Sequence, residues 1–347
     1  MTRIGLTLGD PCGIGPELWL KTLLSLRNEP HTLDLLTLYG DPAVLDRTAV
    51  KLGQQIEWRS LRERLHVLPI TNLSSAEITP GQPNSKSGAA QVSYLQKAIA
   101  DAVAGRIQGL CTGPIHKASA KEAGLAFPGH TELLAEHLLA PRQGVVMMLA
   151  GPRLRVALCT VHIALAEVPL ALSVSGIRQT LTTTALALHQ DFAEANPHLQ
   201  VLGLNPHAGE SGHFGDEESR LITPAIAAAR CHPDLTALPG LSIVGPLVPD
   251  VAFRHALYPP TGQSRPSAVV AMYHDQGLIP IKLLDFDHTV NVTLGLRVVR
   301  TSPDHGTAHD IAGKGIARPD SLEAALALCI EHSLCRDGLS SLSSIAA

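Results

Sequence analysis

The stretch Ile4-Gly5-Leu6-Thr7-Leu8, followed by Gly13-Ile14-Gly15-Pro16-Glu17, decides the fold of this chain. The first run is short and apolar, as a buried strand is, and the proline in the second is typical of the first turn of a helix that we expect to continue to Leu26. A strand followed by a helix is the unit from which parallel sheets are built. The stretch therefore predicts an α/β fold.

Similar apolar runs recur along the chain. Further strands are predicted at 33–38, 107–112, 145–149, 156–161, 201–204, 243–245 and 268–272. Helices are predicted at 88–104, 131–139, 175–195, 217–229 and 321–332. The runs 145–149 and 156–161 lie too close together for a crossover helix, so they predict an antiparallel hairpin. We therefore expect α/β/α layers with mixed sheets.

Composition narrows the functional classes. A chain of 347 residues exceeds what one hydrophobic core usually organises, so two domains are expected. A net charge of −4 without basic runs favours a small-molecule partner over nucleic acid. No run approaches the roughly 18 apolar residues of a membrane helix, and the start of the sequence does not resemble a signal peptide. Six cysteines without a C-x-x-C spacing predict reduced thiols, and we expect a cytoplasmic protein.

Histidine is unusually frequent, with 17 residues. His162, His207 and His274 each follow an apolar run that we expect to form a strand. Because ligands collect at the carboxyl ends of strands in α/β folds, three imidazoles there can converge on one divalent ion and leave a coordination position open. The alternative is that each is an ordinary hydrogen-bonded histidine at a strand end. The three together favour the metal site.

Six longer segments carry further motifs: 9–17 (GDPCGIGPE), 112–117 (TGPIHK), 129–132 (GHTE), 205–210 (NPHAGE), 272–277 (MYHDQG) and 300–308 (RTSPDHGTA). In this order they resemble the motifs of the 4-hydroxythreonine-4-phosphate dehydrogenase (PdxA) family, and the resemblance spans residues 4 to about 330. It implies an isocitrate/isopropylmalate-dehydrogenase-like fold with a first domain at 1–133 plus 303–347. The second domain, 134–302, would carry the metal histidines and the dimer interface.

The resemblance also implies roles for particular residues. His162, His207 and His274 would bind the metal, with the third reaching it from the other subunit of a homodimer. Substrate contacts would fall on His130, Thr131, Lys282, Asn291 and Arg300. Lys282 and Arg300 suit phosphate or carboxylate, and the alternative for each taken alone is a solvated surface charge. The ion could be Zn, Mg, Mn or Co, since histidine ligands alone do not decide.

The implied reaction is oxidation of 4-phosphohydroxy-L-threonine with NAD or NADP, in the pathway to pyridoxal phosphate. The product, 2-amino-3-oxo-4-phosphooxybutanoate, would lose carbon dioxide to give 3-amino-2-oxopropyl phosphate. Relatives that resemble this family act instead on threonate or erythronate 4-phosphate, or on an aromatic cis-dihydrodiol carboxylate. Two other classes stay open: a metal-dependent hydrolase, which needs no nicotinamide, and a noncatalytic metabolite-binding protein.

The cofactor contacts are the least defined part of the sequence. Segment 9–17 contains G-x-G but lacks the third glycine of a dinucleotide fingerprint and the Lys-Ser/Thr of a P-loop. The resemblance places Asp304, Gly306 and Thr307 near the nicotinamide cofactor. The chain departs from the family pattern at Ser211, where glycine is common, and at Cys12, where alanine is frequent. His116, His213 and His305 lie within or next to the motifs, and the sequence assigns them no role.

Overall fold

The computed structural model describes residues 2–125, 130–140 and 143–338. The chain divides into two compact units. Unit 1 comprises Met1–Leu138 and Arg297–Ala347, and unit 2 comprises Leu139–Leu296. Each unit therefore contains its own set of strands and helices. No helix among the described residues is long and apolar enough to cross a membrane.

Unit 1 alternates strands and helices over most of its length. Its strands are β1 (Ile4–Thr7), β2 (Leu36–Gly40), β3 (His66–Pro69), β4 (Gly109–Thr112) and β11 (Val299–Pro303). Its helices are α1 (Gly15–Ser25), α2 (Pro30–Leu33), α3 (Pro42–Lys51), α4 (Gln55–Arg62), α5 (Ser85–Val103), α6 (Lys117–Glu122), α7 (His130–Leu138) and α14 (Asp320–Arg336). A short 3-10 helix, Leu26–Asn28, follows α1.

The strands of unit 1 lie in the order β3-β2-β1-β4-β11, and the pairings between these neighbours are parallel. Helix α5 packs on the strands β1, β2 and β4, while α14 packs on β4 and β11. The buried Trp19 of α1 donates its indole N–H to the Thr7 carbonyl of β1 at 2.9 Å. Strands β1, β2, β4 and β11 are buried because helices cover them, as such sheets require, whereas β3 at the edge is partly exposed.

The described residues of unit 2 form six strands. The strands are β5 (Val146–Ala150), β6 (Arg155–Leu158), β7 (His198–Leu202), β8 (Ser242–Leu247), β9 (Ala268–Ala271) and β10 (Val290–Leu294). The helices are α8 (Val168–Ala171), α9 (Val174–Gln190), α10 (Thr223–Arg230), α11 (Pro233–Thr236), α12 (Pro249–Leu257) and α13 (His274–Asp285). Segments Leu165–Glu167 and Phe286–His288 are 3-10 turns, and Glu218–Ile222 is a π-helix. Pro206–Gly212 is a turn with left-handed backbone.

The strands of unit 2 lie in the order β10-β5-β6-β9-β7-β8. β5 pairs antiparallel with both β10 and β6, whereas β6, β9, β7 and β8 run parallel. The predicted hairpin of β5 and β6 is therefore confirmed, and so is the mixed α/β class. The core beneath these strands includes Val156, Leu202, Val269, Leu278 and Ile281, all buried.

Several local expectations were wrong. Residue 33 ends helix α2 instead of opening a strand, because Pro30 at the first helical position starts a helical turn there. The predicted helix 217–229 begins as a π-helix before it becomes α10. Strands β3, β10 and β11 were not predicted. β3 is half-exposed, and β10 and β11 carry polar residues that obscure an apolar run.

Candidate metal and substrate site

Three neighbouring parallel strands of unit 2 lead into the three candidate metal ligands. His162 follows β6, His274 is the first residue of α13 after β9, and His207 follows β7. These strands are adjacent in the order β6-β9-β7. Their carboxyl ends therefore lie along one edge of the sheet, which is where α/β folds collect ligands.

His162 and His274 are brought together within one chain. Their ring centroids are 5.5 Å apart, with the ring planes tilted by 47°. Nδ1 of His274 donates to Oδ1 of Asp275 at 2.7 Å, an arrangement that orients the ring and leaves Nε2 as the nitrogen for an ion. The donor set of neutral imidazoles with a carboxylate partner fits a divalent transition metal.

His207 lies in a different setting, 6.0 Å from the Phe214 ring between centroids. The described residues of one chain contain no group of three or more His, Cys, Asp and Glu side chains placed to hold an ion. One chain thus contributes a histidine pair and a separate third histidine at the same strand edge.

The turn that carries His207 has an unusual backbone. Five consecutive residues, His207 to Ser211, have φ between +40° and +80°, and four of them are not glycine. An L-residue in this left-handed region costs about 1 kcal/mol or more. The turn is held by contacts outside it, chiefly from the buried Glu218, a residue that sequence reasoning did not single out.

Two candidate substrate residues belong to unit 2. Lys282 lies in α13, eight positions after His274, and is half-buried. Asn291 lies in β10 opposite Leu149 of β5 and is also half-buried. Both are partly accessible, as residues that contact a ligand must be.

The other candidate substrate residues belong to unit 1. Arg300 in β11 is 3% exposed and donates from Nη2 to Oγ1 of Thr112 at 2.8 Å. A solvated surface charge is therefore excluded for Arg300. Burial lowers its pKa to about 10, which leaves the guanidinium charged at neutral pH. Thr131 is half-buried in the first turn of α7; the side chain of His130 and the whole of Gly129 lie outside the described residues.

Three motif segments meet in unit 1. The Asp10 N–H donates to the Pro114 carbonyl at 2.9 Å, and the Ile14 N–H donates to the Thr307 carbonyl at 3.0 Å. Gly9 has φ +77°, and a Cβ there would lie 2.4 Å from the Pro114 oxygen, so only glycine allows this contact. Segments 9–17, 112–117 and 304–308 therefore form one local structure.

The same region contains a contact that the sequence did not reveal. Nε2 of His309 donates to Oδ2 of the fully buried Asp10 at 2.8 Å, and the His309 ring packs edge-on against His116 at 4.9 Å. His116 also caps α6, where its Nδ1 accepts from the Ser119 N–H. Nδ1 of His305 contacts the Gly306 carbonyl, and His213 is exposed in the turn after His207.

Comparison with known proteins identifies the family. The family model described as pyridoxal phosphate biosynthetic protein PdxA matches residues 33–329. A protein of Geobacter metallireducens named 4-hydroxythreonine-4-phosphate dehydrogenase is 43% identical over 342 residues, covering 95% of each chain. The crystal structure of a 4-hydroxythreonine-4-phosphate dehydrogenase from Klebsiella pneumoniae is 32% identical with a TM-score of 0.80, covering 96% of this chain and 100% of that one.

A more distant solved structure is a terephthalate 1,2-cis-dihydrodiol dehydrogenase from Burkholderia xenovorans. It is 26% identical, has a TM-score of 0.64 and covers 97% of this chain and 98% of its own. The model match spans most of the chain, and the Geobacter protein matches it almost from end to end. The chain belongs to the PdxA family of pyridoxal phosphate biosynthetic proteins.

Proposed function

We propose that this chain is an NAD(P)- and divalent-metal-dependent dehydrogenase that oxidises 4-phosphohydroxy-L-threonine. The product, 2-amino-3-oxo-4-phosphooxybutanoate, decarboxylates to 3-amino-2-oxopropyl phosphate on the way to pyridoxal phosphate. The observation that carries the proposal is the placement of His162, His274 and His207 after three adjacent parallel strands, in a chain of this family.

The histidines and Asp275 form the metal-binding part of the site. A bound Zn, Mg, Mn or Co ion supplies Lewis-acid stabilisation of negative charge at the oxidised carbon's oxygen, while NAD(P) accepts the hydride. The hydrogen bond of 2.7 Å from His274 to Asp275 fixes the ring orientation before an ion arrives. His274 is therefore an oriented nitrogen donor.

The substrate is held by His130, Thr131, Lys282, Asn291 and Arg300. Lys282 and Arg300 supply positive charge for the phosphate and carboxylate groups, and the buried Arg300 keeps its orientation through Thr112. Asn291 adds an amide that both donates and accepts. This combination favours a substrate with two anionic groups.

The cofactor lies near Asp304, Gly306 and Thr307 in this proposal. Support comes from the local structure of unit 1, where Thr307 contacts the strand-to-helix turn at Ile14.

The active site is shared between two subunits of a homodimer. An apolar stripe on one face supports this: Ile279 and Leu283 lie four residues apart on α13, and Phe286 follows three residues later. Leu283 is 81% exposed and Phe286 is 71% exposed, which is costly for a monomer in water. The stripe begins five residues after His274, so a partner covering it comes close to that ligand.

The compartment proposed is the cytoplasm. The six cysteines are all free thiols, and Cys12, Cys111 and Cys329 are buried in the core of unit 1. Burial raises the pKa of Cys111 and Cys329, so these thiols are protonated and unreactive at neutral pH. Unpaired thiols are usual in a reducing compartment.

The second candidate function is that of a dehydrogenase with the same fold that acts on a different substrate. The likeness to a terephthalate cis-dihydrodiol dehydrogenase favours an aromatic cis-dihydrodiol carboxylate, and threonate or erythronate 4-phosphate is the nearer variant. These substrates share a secondary alcohol beside an anionic group. They differ in whether they carry a phosphate.

Turnover of a substrate panel tests the proposal. NADH or NADPH formation is followed with the metal-loaded protein and 4-phosphohydroxy-L-threonine, threonate 4-phosphate, erythronate 4-phosphate or the aromatic dihydrodiol carboxylate. We expect chelator-sensitive turnover of 4-phosphohydroxy-L-threonine with the highest kcat/KM. A higher kcat/KM for another substrate of the panel would place the protein outside the pathway to pyridoxal phosphate. Hydrolysis of a substrate in the absence of nicotinamide would show that the protein is a hydrolase and not a dehydrogenase.

A further inference from the structure

The turn at His207 needs support from outside its own sequence. Local sterics favour right-handed backbone, yet His207, Ala208, Glu210 and Ser211 all have φ between +40° and +58°. The backbone bonds of the turn are local: the Ala208 N–H donates to the Asn205 carbonyl, the His213 N–H to the Glu210 carbonyl and the Phe214 N–H to the Gly209 carbonyl. These bonds close the turn but do not fix where it sits relative to the sheet.

Glu218 provides that connection. Its Oε1 accepts hydrogen bonds from the backbone N–H groups of Leu204 and Asn205, both at 2.8 Å. Its Oε2 accepts from Nδ2 of Asn205 at 3.1 Å. Leu204 and Asn205 directly precede the turn, and Glu218 begins the π-helix that continues into α10. One carboxylate therefore ties the entry of the turn to a helix.

The surroundings of Glu218 match this role. The residue is only 6% exposed, so its carboxylate is shielded from water and bonds mainly to these donors. A Cβ at Gly209, inside the turn, would lie 2.6 Å from Oε2 of Glu218. A Cβ at Gly203, at the end of the strand, would lie 3.1 Å from Oε1. The carboxylate thus fills the space between the strand end and the turn.

We propose that Glu218 is a positioning residue for the metal ligand His207, because its buried carboxylate holds the left-handed turn in the shape that presents the imidazole. The inference rests on the proposed metal site. Glu218 does not itself bind the ion, since its acceptor oxygens are occupied by the chain's own N–H groups. Outer residues that orient a ligand typically change metal affinity by about 10–100-fold when they are lost.

The neighbouring Glu217 is a matched control. It has the same side chain and also contacts Nδ2 of Asn205, at 2.7 Å, but no hydrogen bond joins it to the backbone at the turn entry within the described residues. In Glu218→Gln, a side-chain NH2 group replaces Oε2 and faces Nδ2 of Asn205, so two donors oppose each other. The hydrogen bonds that join residue 218 to the entry of the turn are therefore weakened. Glu217→Gln keeps an acceptor and leaves the Glu218 bridge intact.

A substitution at Ser211 can restore the metal affinity lost in Glu218→Gln, and such a recovery would not occur if Glu218→Gln simply failed to fold. Its φ is 58°, a value that glycine adopts without a steric penalty. If Glu218→Gln loses affinity because the turn relaxes from its left-handed shape, Ser211→Gly lowers the cost of restoring that shape. The double variant Glu218→Gln/Ser211→Gly should then regain affinity.

The test is a titration of the metal-free protein with Co²⁺, followed by its visible absorption bands, with thermal unfolding of the metal-free variants measured in parallel. We expect Glu218→Gln to weaken Co²⁺ binding about 10–100-fold and to change the band intensities. Glu217→Gln should stay within about twofold of the parent. Adding Ser211→Gly to Glu218→Gln should recover about fivefold in affinity.

The proposal is overturned if Glu218→Gln binds Co²⁺ within about twofold of the parent, or if Ser211→Gly recovers nothing. If Glu218→Gln does not fold, Glu218→Asp replaces it: the shorter side chain draws the carboxylate away from the N–H groups of Leu204 and Asn205, and unchanged Co²⁺ affinity would overturn the proposal equally. Failure of the metal site itself gives a different pattern, in which the parent and His207→Ala bind Co²⁺ alike.

Discussion

At the scale of one residue, replacing His207 is a stringent test of the proposed metal site. The ring is exposed, and the backbone bonds of its turn do not involve the side chain, so His207→Ala should fold normally. Loss of a residue that only orients a metal ligand typically lowers metal affinity or activity by about 10–100-fold. Because His207 is proposed to bind the ion directly, we expect the metal content and the dehydrogenase activity of His207→Ala to fall further than that. Metal analysis and initial rates measure both.

His288→Ala is the control for that substitution. His288 is exposed in the 3-10 turn after α13 and has no proposed role. Its replacement should leave metal content and rate unchanged. If purified His207→Ala instead keeps full dehydrogenase activity and normal metal content, His207 is not a metal ligand and the proposed metal site is wrong.

Asp101 makes a second single-residue prediction, about stability and pH. Burial by itself raises the pKa of Asp101, but hydrogen bonds from Lys97, Arg106 and Tyr39 outweigh it and lower the pKa below its usual value. A carboxyl with a depressed pKa stabilises the fold above its unfolded pKa of about 3.9 and loses this contribution as the pH falls through the folded value.

Asp101→Asn should therefore reduce the free energy of unfolding by about 1–3 kcal/mol at pH 7. The difference between parent and variant should shrink below about pH 4. Urea unfolding at pH 7 and at decreasing pH measures it. Asp34→Asn, at an exposed acid, serves as the control and should stay within about 0.5 kcal/mol of the parent at each pH. A pH-independent gap for Asp101→Asn would contradict the account.

Residue-level sequence reasoning located the ends of strands from apolar runs. His162, His207 and His274 were predicted to follow strands, and each follows one of three adjacent strands. Their role as metal ligands stays a prediction. Glu218 and the Asp10–His309 pair were missed because each depends on a contact between segments that no local pattern encodes. The burial of Arg300 was also not predictable, since Val299–Pro303 contains mostly polar residues and resembles an exposed segment.

At the scale of elements, helix α13 carries both a proposed metal ligand and the apolar face of the proposed dimer interface. Its first residue is His274, and Ile279 and Leu283 expose an apolar face that Phe286 extends. Leu283→Glu should weaken the homodimer by more than about 2 kcal/mol, because a carboxylate would be buried without a partner. Light scattering over a concentration series measures the shift toward monomer.

Ile56→Glu on α4 is the matched control, since Ile56 is similarly exposed but belongs to unit 1. It should not change the molar mass. If Leu283→Glu and Ile56→Glu have the same molar mass at every concentration, α13 lies outside the dimer interface.

The elements that the sequence predicted share a physical property, which is an apolar run bounded by glycine, proline or asparagine. β1, β5, β6 and β9 have it, and each was located within a few residues. β3 is only half-buried, β10 alternates apolar with polar residues, and β11 has three polar residues in succession, so none of them forms an apolar run. The helix α13 was missed because Gly277 and Pro280 interrupt its pattern.

At the scale of the whole molecule, we propose that three histidines of two subunits form one metal centre that carries the dehydrogenase activity. If His274 reaches the ion from the partner, even though it also lies 5.5 Å from His162 of its own chain, an equal mixture of His162→Ala and His274→Ala subunits contains dimers with one intact centre. Statistical exchange would then restore about one quarter of the parental activity. A mixture of His162→Ala and His207→Ala subunits would restore none.

The measurement that tests this claim most directly is NAD(P)H formation from 4-phosphohydroxy-L-threonine by these mixtures after unfolding and refolding together with the divalent ion. We predict activity near one quarter of the parent for His162→Ala with His274→Ala, lost on chelation, and no activity for either variant alone. No activity in any pairwise mixture of the three variants would contradict the claim, because each chain would then supply its own complete centre.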